Sequence, residues 1–219
     1  MRERPILFSA PMVRAILDGS KTQTRRIVKP QPHIDALNNF IWNGWNFGQS
    51  AAGVPHVQSL ASPVPWSKTK RVLCPFGAPG DRLWVRETWM DLSGTGIEPV
   101  TGSSSPYAYG ADTLPGSFGD ECRKEYGLKW RPSIHMPRAV SRITLEVTGV
   151  RVERLQSISD ADAESEGIDF LRHVPDADET LTASQLFLCL WDSIATPGVD
   201  WAANPWVWVV DFNRVSEAA

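Results

Sequence analysis

Groups that could hold a metal or a crosslink are scarce in this sequence. Cysteine appears three times in 219 residues, as Cys74, Cys122 and Cys189. The three are far apart and odd in number, and no CxxC pair occurs. This argues against a disulfide framework and against a thiolate zinc centre. The four histidines, His33, His56, His135 and His173, are equally scattered. No HxH or HxxxH spacing brings two imidazoles onto one face, so no metal site and no cofactor is expected.

Long apolar runs are missing too. No stretch approaches the ~20 residues that cross a bilayer, so no membrane partner is expected. The opening "MRERPILFSAPMV" is interrupted by Pro5, Ser9 and Pro11 and has no long apolar centre, which reads as a cytoplasmic protein. No internal repeat and no linker is visible. The length suits one domain over 1–219 with a substantial core.

Neither sign of charge dominates: 22 basic and 25 acidic side chains leave a net −3. The distribution is uneven. Residues 1–30 carry Arg2, Arg4, Arg14, Lys21, Arg25, Arg26 and Lys29 against Glu3 and Asp18. Residues 151–180 carry three arginines against nine carboxylates. A basic face on an acidic protein suits a polyanion, and a solvated surface of mixed sign explains the same numbers. Tryptophan, by contrast, is abundant, with ten residues. Most must lie in the core, and a few could stack bases.

The pattern along the chain predicts a strand at 4–9 and then a helix capped by Ser9, with Pro11 in its first turn. Gly19 ends that helix and "TRRIVKP" (24–30) returns to strand. Residues 31–79 and 91–129 are rich in Gly, Ser, Pro and Asn. Both are too long for ordinary connections and read as insertions; the second contains "YAYGAD" (107–112). Between them, "PGDRLWVRETWM" (79–90) reads as a turn followed by a strand. Leu83, Val85, Glu87 and Trp89 share one face of it, and Trp84, Arg86 and Thr88 the other.

In 143–152 the alternation slips at Gly149, which signals a β-bulge. Two helices follow. The first spans 159–167, with Ser159 and Asp162 at its start and Gly167 at its stop. The second opens on a Thr182/Gln185 capping box with Leu181 and Leu186 as a staple, and should bury Leu186, Phe187, Leu190, Trp191 and Ile194. "NPWVWVVDFNRV" (204–215) is apolar on both faces and reads as an inner strand. Five or six strands and three helices without βαβ alternation predict an α+β fold: a small mixed or antiparallel barrel with flanking helices and long loop insertions.

Two places could carry chemistry. Glu87 sits among apolar neighbours, where a carboxyl holds its proton more tightly and suits a general acid. A buried Glu87 paired to Arg86 or Arg138 fits the pattern equally well. In "DGSKTQTRR" (18–26), Arg25 and Arg26 disfavour the charge on Lys21, which could then act as a base toward Thr24. Strict strand alternation puts positions three apart on opposite faces, so the pair meets only if the turn runs on through Gln23. A basic turn that binds phosphates is the other reading of the same residues.

These residues also carry a resemblance. "GSKTQTRR" resembles the GxKxxxxR signature of the ASCH domain family at Gly19, Lys21 and Arg26. The blocks "PILFSAPMVRAILDGSKTQTRRIVKP", "GDRLWVRETW", "MPRAVSRITLEVTGVRVERLQSIS" and "NPWVWVVDF" look like those of prophage-encoded members. The resemblance covers both ends and the middle, and leaves 31–79 and 91–129 less well covered. It implies a PUA-like barrel that binds RNA or a modified nucleoside. One branch of the family is an amidohydrolase that removes the acetyl group of N(4)-acetylcytidine. Its threonine nucleophile, lysine base and glutamate acid would correspond to Thr24, Lys21 and Glu87. Another member is reported as a ribonuclease. In this picture Arg25, Arg26, Arg86 and Arg138 would meet phosphate, and Trp84 or Trp89 would stack a base. A non-catalytic reader of RNA or modified bases and a metal-dependent ribonuclease are the alternatives.

Overall fold

The computed structural model describes residues 1–37, 39–42, 45–49, 74–96, 106–173 and 180–215. Its centre is a mixed five-stranded sheet in the order β1-β6-β9-β10-β2. The strands are β1 (Glu3–Leu7), β2 (Gln23–Ile27), β6 (Arg82–Arg86), β9 (Thr144–Arg154) and β10 (Trp206–Arg214). β1 runs parallel to β6, and the other neighbours are antiparallel.

The inner position of β10 follows from its composition. Trp206, Trp208, Val210 and Phe212 enter one core, while Val207 and Val209 enter a second core on the opposite face. A strand apolar on both sides is stable only when both sides are covered. The slip at Gly149 appears as a register shift: Asp211 pairs Gly149, but Phe212 pairs Val147. The extra residue restores Val150 and Val152 to the face of Leu145 and Val147.

The helices are α1 (Ala10–Asp18), α2 (Phe118–Glu125), α3 (Asp160–Ser165) and α4 (Ala183–Ile194). α1 has Ser9 at its N-cap position, but the Ser9 side chain makes no cap bond. Its end is set by Gly19 at φ 89°, a left-handed value that costs glycine little. α4 has the full Thr182/Gln185 box, and Leu181 and Leu186 both join the second core. Ile194 departs from the expected buried face: it is the last residue of α4 and is 72% exposed.

Two features differ from the sequence expectation. The sheet is not a closed barrel: β1 and β2 are its edges, and no backbone ladder joins them among the described residues. α1 links them instead, and the Arg26 guanidinium donates to the Leu7 carbonyl at 2.6 Å. The insertions are also structured where they are described. β3 (His33–Ile34), β4 (Asn39–Trp42) and β5 (Trp45–Gln49) form a small antiparallel sheet. β7 (Trp89–Asp91) pairs with β8 (Tyr107–Tyr109), and α2 follows. Gly, Ser and Pro made these segments look like loops, yet burial of Trp42, Trp89 and Tyr109 holds the strands in place.

Candidate functional site

Lys21 leaves α1 by a tight route. The left-handed Gly19 turns the chain, and Lys21 forms an isolated bridge with Glu166 just after α3. This approach depends on Gly167, at φ 72°, where a Cβ would come within 2.7 Å of the Lys21 Cβ and 2.8 Å of the Ala15 Cβ. The Lys21 side chain is buried. Its Nζ donates to the Glu166 carboxylate at 2.7 Å, the Glu166 carbonyl at 2.7 Å and the Gln23 carbonyl at 2.8 Å. All three ammonium donors therefore have acceptors. Burial pushes its pKa below the usual lysine value; the Glu166 charge opposes this, and Arg25 and Arg26 add to it.

The strand that follows divides its residues by face. Gln23, Arg25 and Ile27 point to the helix side, where Ile27 packs on the second core and Arg25 lies 5.9 Å from the Phe187 ring. Thr24, Arg26 and Val28 take the other face, where Thr24 opposes Val210 and Arg26 opposes Trp208. Lys21, ahead of the strand, reaches this second face as well. Its Nζ lies 5.5 Å from the Phe8 ring, and the Arg26 guanidinium lies 5.1 Å from the same ring. Thr24 is buried as a residue, its hydroxyl is not among the fully buried atoms left without a partner, and no described residue hydrogen-bonds it.

Arg25 is a fully covered cation. It sits 3.3 Å from Asp162, 3.5 Å from Glu153 and 3.6 Å from Glu166, and it also donates to the Gln23 amide oxygen. The surrounding network adds Arg151, which pairs with Glu153, Asp162 and Asp211. Lys21 and Arg25 of the N-terminal basic stretch thus meet Glu153, Asp162 and Glu166 of the acidic stretch inside the fold.

Glu87 follows β6 and is 1% exposed. Its partner is neither Arg86 nor Arg138 but Arg142, which donates to Glu87 at 3.0 and 3.2 Å. Arg142 also grips Asp112 at 2.7 and 2.9 Å and lies 4.0 Å from the Tyr109 ring. Burial raises the Glu87 pKa, Arg142 opposes that rise, and the Asp112 charge supports it. Arg86 instead donates to the Met136 and Ile134 carbonyls, and Arg138 bonds Glu3 near the surface. Trp84 is half-buried with Arg86 5.4 Å from its ring. Trp89 is buried between Tyr107 and Arg131.

Phe8 connects the two groups. Its ring carries Lys21 and Arg26, and its amide donates to the Arg86 carbonyl at 3.2 Å, one residue before Glu87. Glu166, Arg142 and Asp112 were not singled out by sequence. The "YAYGAD" run that contains Asp112 stood out in the sequence only as part of the second insertion. Among the described residues, no group of three or more His, Cys, Asp or Glu side chains is placed to hold a metal ion. No helix among them is long and apolar enough to cross a membrane. No protein-family model, curated protein or solved structure matches the chain.

Proposed function

We propose that this is an ASCH-family protein of PUA-like ancestry that binds a modified nucleoside and hydrolyses an N-acyl group on its cytosine base. Thr24 is the nucleophile, Lys21 the base and Glu87 the acid. The observation that carries this reading is the contrast between an Arg25 already enclosed by carboxylates and a Thr24 hydroxyl without a hydrogen bond among the described residues. Arg25 is enclosed by three carboxylates, and Arg26 is committed to Leu7 and Phe8. Arg25 therefore has no charge to spare for a phosphate chain, while Arg26 is held by a carbonyl and a ring rather than by a carboxylate among the described residues. Thr24, on the face shared with Lys21 and Phe8, has a hydroxyl with no competing partner.

In this mechanism Lys21, as the neutral amine, accepts the Thr24 proton while the oxygen attacks the amide carbonyl. Glu87 gives its proton to the departing amino group of the base, and water then cleaves the threonyl ester. The environments of the two titrating groups suit these roles, since burial favours a neutral amine at Lys21 and a protonated carboxyl at Glu87. The test is chromatographic assay of a panel of N4-acylcytidines with wild type, Lys21→Ala, Thr24→Ala and Glu87→Gln. Wild type should release cytidine and the variants should lose at least a hundredfold. Absence of turnover with every acylcytidine sinks the hydrolase.

A second reading, a non-catalytic binder of RNA or a modified base, is favoured by one observation. The Lys21 ammonium is saturated by Glu166 and two carbonyls, as a structural lysine would be. It predicts nucleoside binding without product. A metal-dependent ribonuclease has no converging donor set behind it among the described residues.

A further inference from the structure

The 106–112 segment brings a charged group to Glu87 that the three-residue mechanism leaves unused. Asp112 follows β8 at its turn, and Arg142 lies just ahead of β9. Their meeting point is the Glu87 carboxylate. One guanidinium serves two carboxylates through four hydrogen bonds of 2.7 to 3.2 Å. Both forks are bidentate, which fixes the plane of Glu87 as well as its position. Tyr109 backs the guanidinium at 4.0 Å, and its own hydroxyl is anchored on the Val140 carbonyl at 2.9 Å.

Charge counting gives the consequence. Two carboxylates and one guanidinium leave one negative charge in excess, in a place where Glu87 is almost wholly covered. A proton relieves that excess. Arg142 and Asp112 retain about a fifth to a quarter of their side-chain exposure, whereas Glu87 retains 2%. The proton therefore belongs on the more deeply buried partner. We propose that Asp112 and Arg142 are positioning residues: Arg142 holds the Glu87 carboxyl in one orientation, and the Asp112 charge, by sharing Arg142, makes Glu87 hold a proton more readily than it would with Arg142 alone.

The charged groups facing Glu87 are Arg142 from the segment before β9 and Asp112 from the turn after β8. Met136 offers only its sulfur, to the Glu87 backbone amide at 3.4 Å. Arg86, its chain neighbour, is turned away to Met136 and Ile134. Removing the Asp112 charge leaves Arg142 wholly to Glu87, which then releases its proton at lower pH. The assignment of Asp112 does not need the hydrolase to be correct, but its value to catalysis rests on that reading.

The experiment is a carbon-13 NMR titration of the glutamate carboxyl groups in the full chain, with the Glu87 signal identified by Glu87→Gln. Wild-type Glu87 should titrate above the ordinary range for glutamate. Asp112→Asn should move its midpoint down by about one unit or more, and Asp112→Glu should restore most of it. If the hydrolase reading holds, the alkaline limb of the acylcytidine pH profile moves down by the same amount in Asp112→Asn. A wild-type midpoint at or below the ordinary glutamate value overturns the inference, even if the Asp112→Asn protein does not fold. So does a midpoint unmoved in Asp112→Asn. A shift in the titration with no turnover in any variant supports the inference and removes the hydrolase. Turnover without a shift does the reverse.

Discussion

Replacing Glu166 by alanine should destabilise the protein strongly at neutral pH and progressively less as the pH rises. The side chains of Lys21 and Glu166 are 1% and 5% exposed and meet at 2.7 Å. Without the carboxylate, the Lys21 ammonium keeps the Gln23 and Glu166 carbonyls but loses its counter-charge. Breaking one side of such a buried pair costs about 3–5 kcal/mol. Lysine has an escape, because it can fold as the neutral amine. At pH 7 that route costs about 4.6 kcal/mol, from 1.36 kcal/mol per unit below an unfolded pKa of about 10.4. At pH 9 it costs only about 1.9 kcal/mol. The sign is consistent: the variant's folded Lys21 binds fewer protons than the unfolded chain, so stability rises with pH up to the unfolded pKa. Urea unfolding of wild type and Glu166→Ala at pH 7 and 9 measures both quantities. The Lys21→Met/Glu166→Leu double variant should recover part of the loss, because the Lys21 charge is removed with its partner while the buried Arg25 loses its Glu166 contact and keeps Asp162 and Glu153. A loss under about 1 kcal/mol at pH 7, or one that does not shrink by pH 9, would refute this account of Lys21.

Arg25→Ala should behave as a core mutation rather than as the loss of a binding charge. It leaves Glu153, Asp162 and Glu166 facing one another, and the urea midpoint should report a loss of about 3–5 kcal/mol. A variant as stable as wild type, with weakened and less salt-sensitive RNA binding, would instead favour the phosphate-binding role. Gly167→Ala should cost about 1–3 kcal/mol for the left-handed backbone alone. It should cost more as the new Cβ meets Lys21 and Ala15, and thermal unfolding checks this. Thr182→Ala should cost about 1 kcal/mol through loss of the α4 capping box, visible as a small drop in the same unfolding midpoint.

Much of the architecture could be read locally. β10 declares itself inner because both its faces are apolar, and Gly149 marks a slip that the register confirms. The Thr182/Gln185 box and the left-handed Gly19 place helix ends by rules that act over three or four residues. The insertions were misjudged for the same local reason. Their Gly, Ser and Pro content outweighed the Trp89–Tyr109 pairing, which spans twenty residues and is set by packing. A closed barrel was expected because strand count and alternation do not encode whether the last edge meets the first.

What the sequence alone determined is which groups carry charge, which faces are apolar and where chain direction changes. It placed Lys21 in a turn and Glu87 among buried neighbours, since burial follows periodicity, but it read one strand within 79–90 where the structure ends β6 at Arg86 and starts β7 at Trp89, with Glu87 between them. Only the tertiary structure decided their partners. Glu166 lies 145 residues from Lys21, and Arg142 lies 55 from Glu87. Several arginines could have satisfied Glu87 by sequence, and neither the adjacent Arg86 nor Arg138 does. A buried charge takes whichever opposite charge the packing of strands delivers within hydrogen-bond reach, and that choice is made by the fold as a whole.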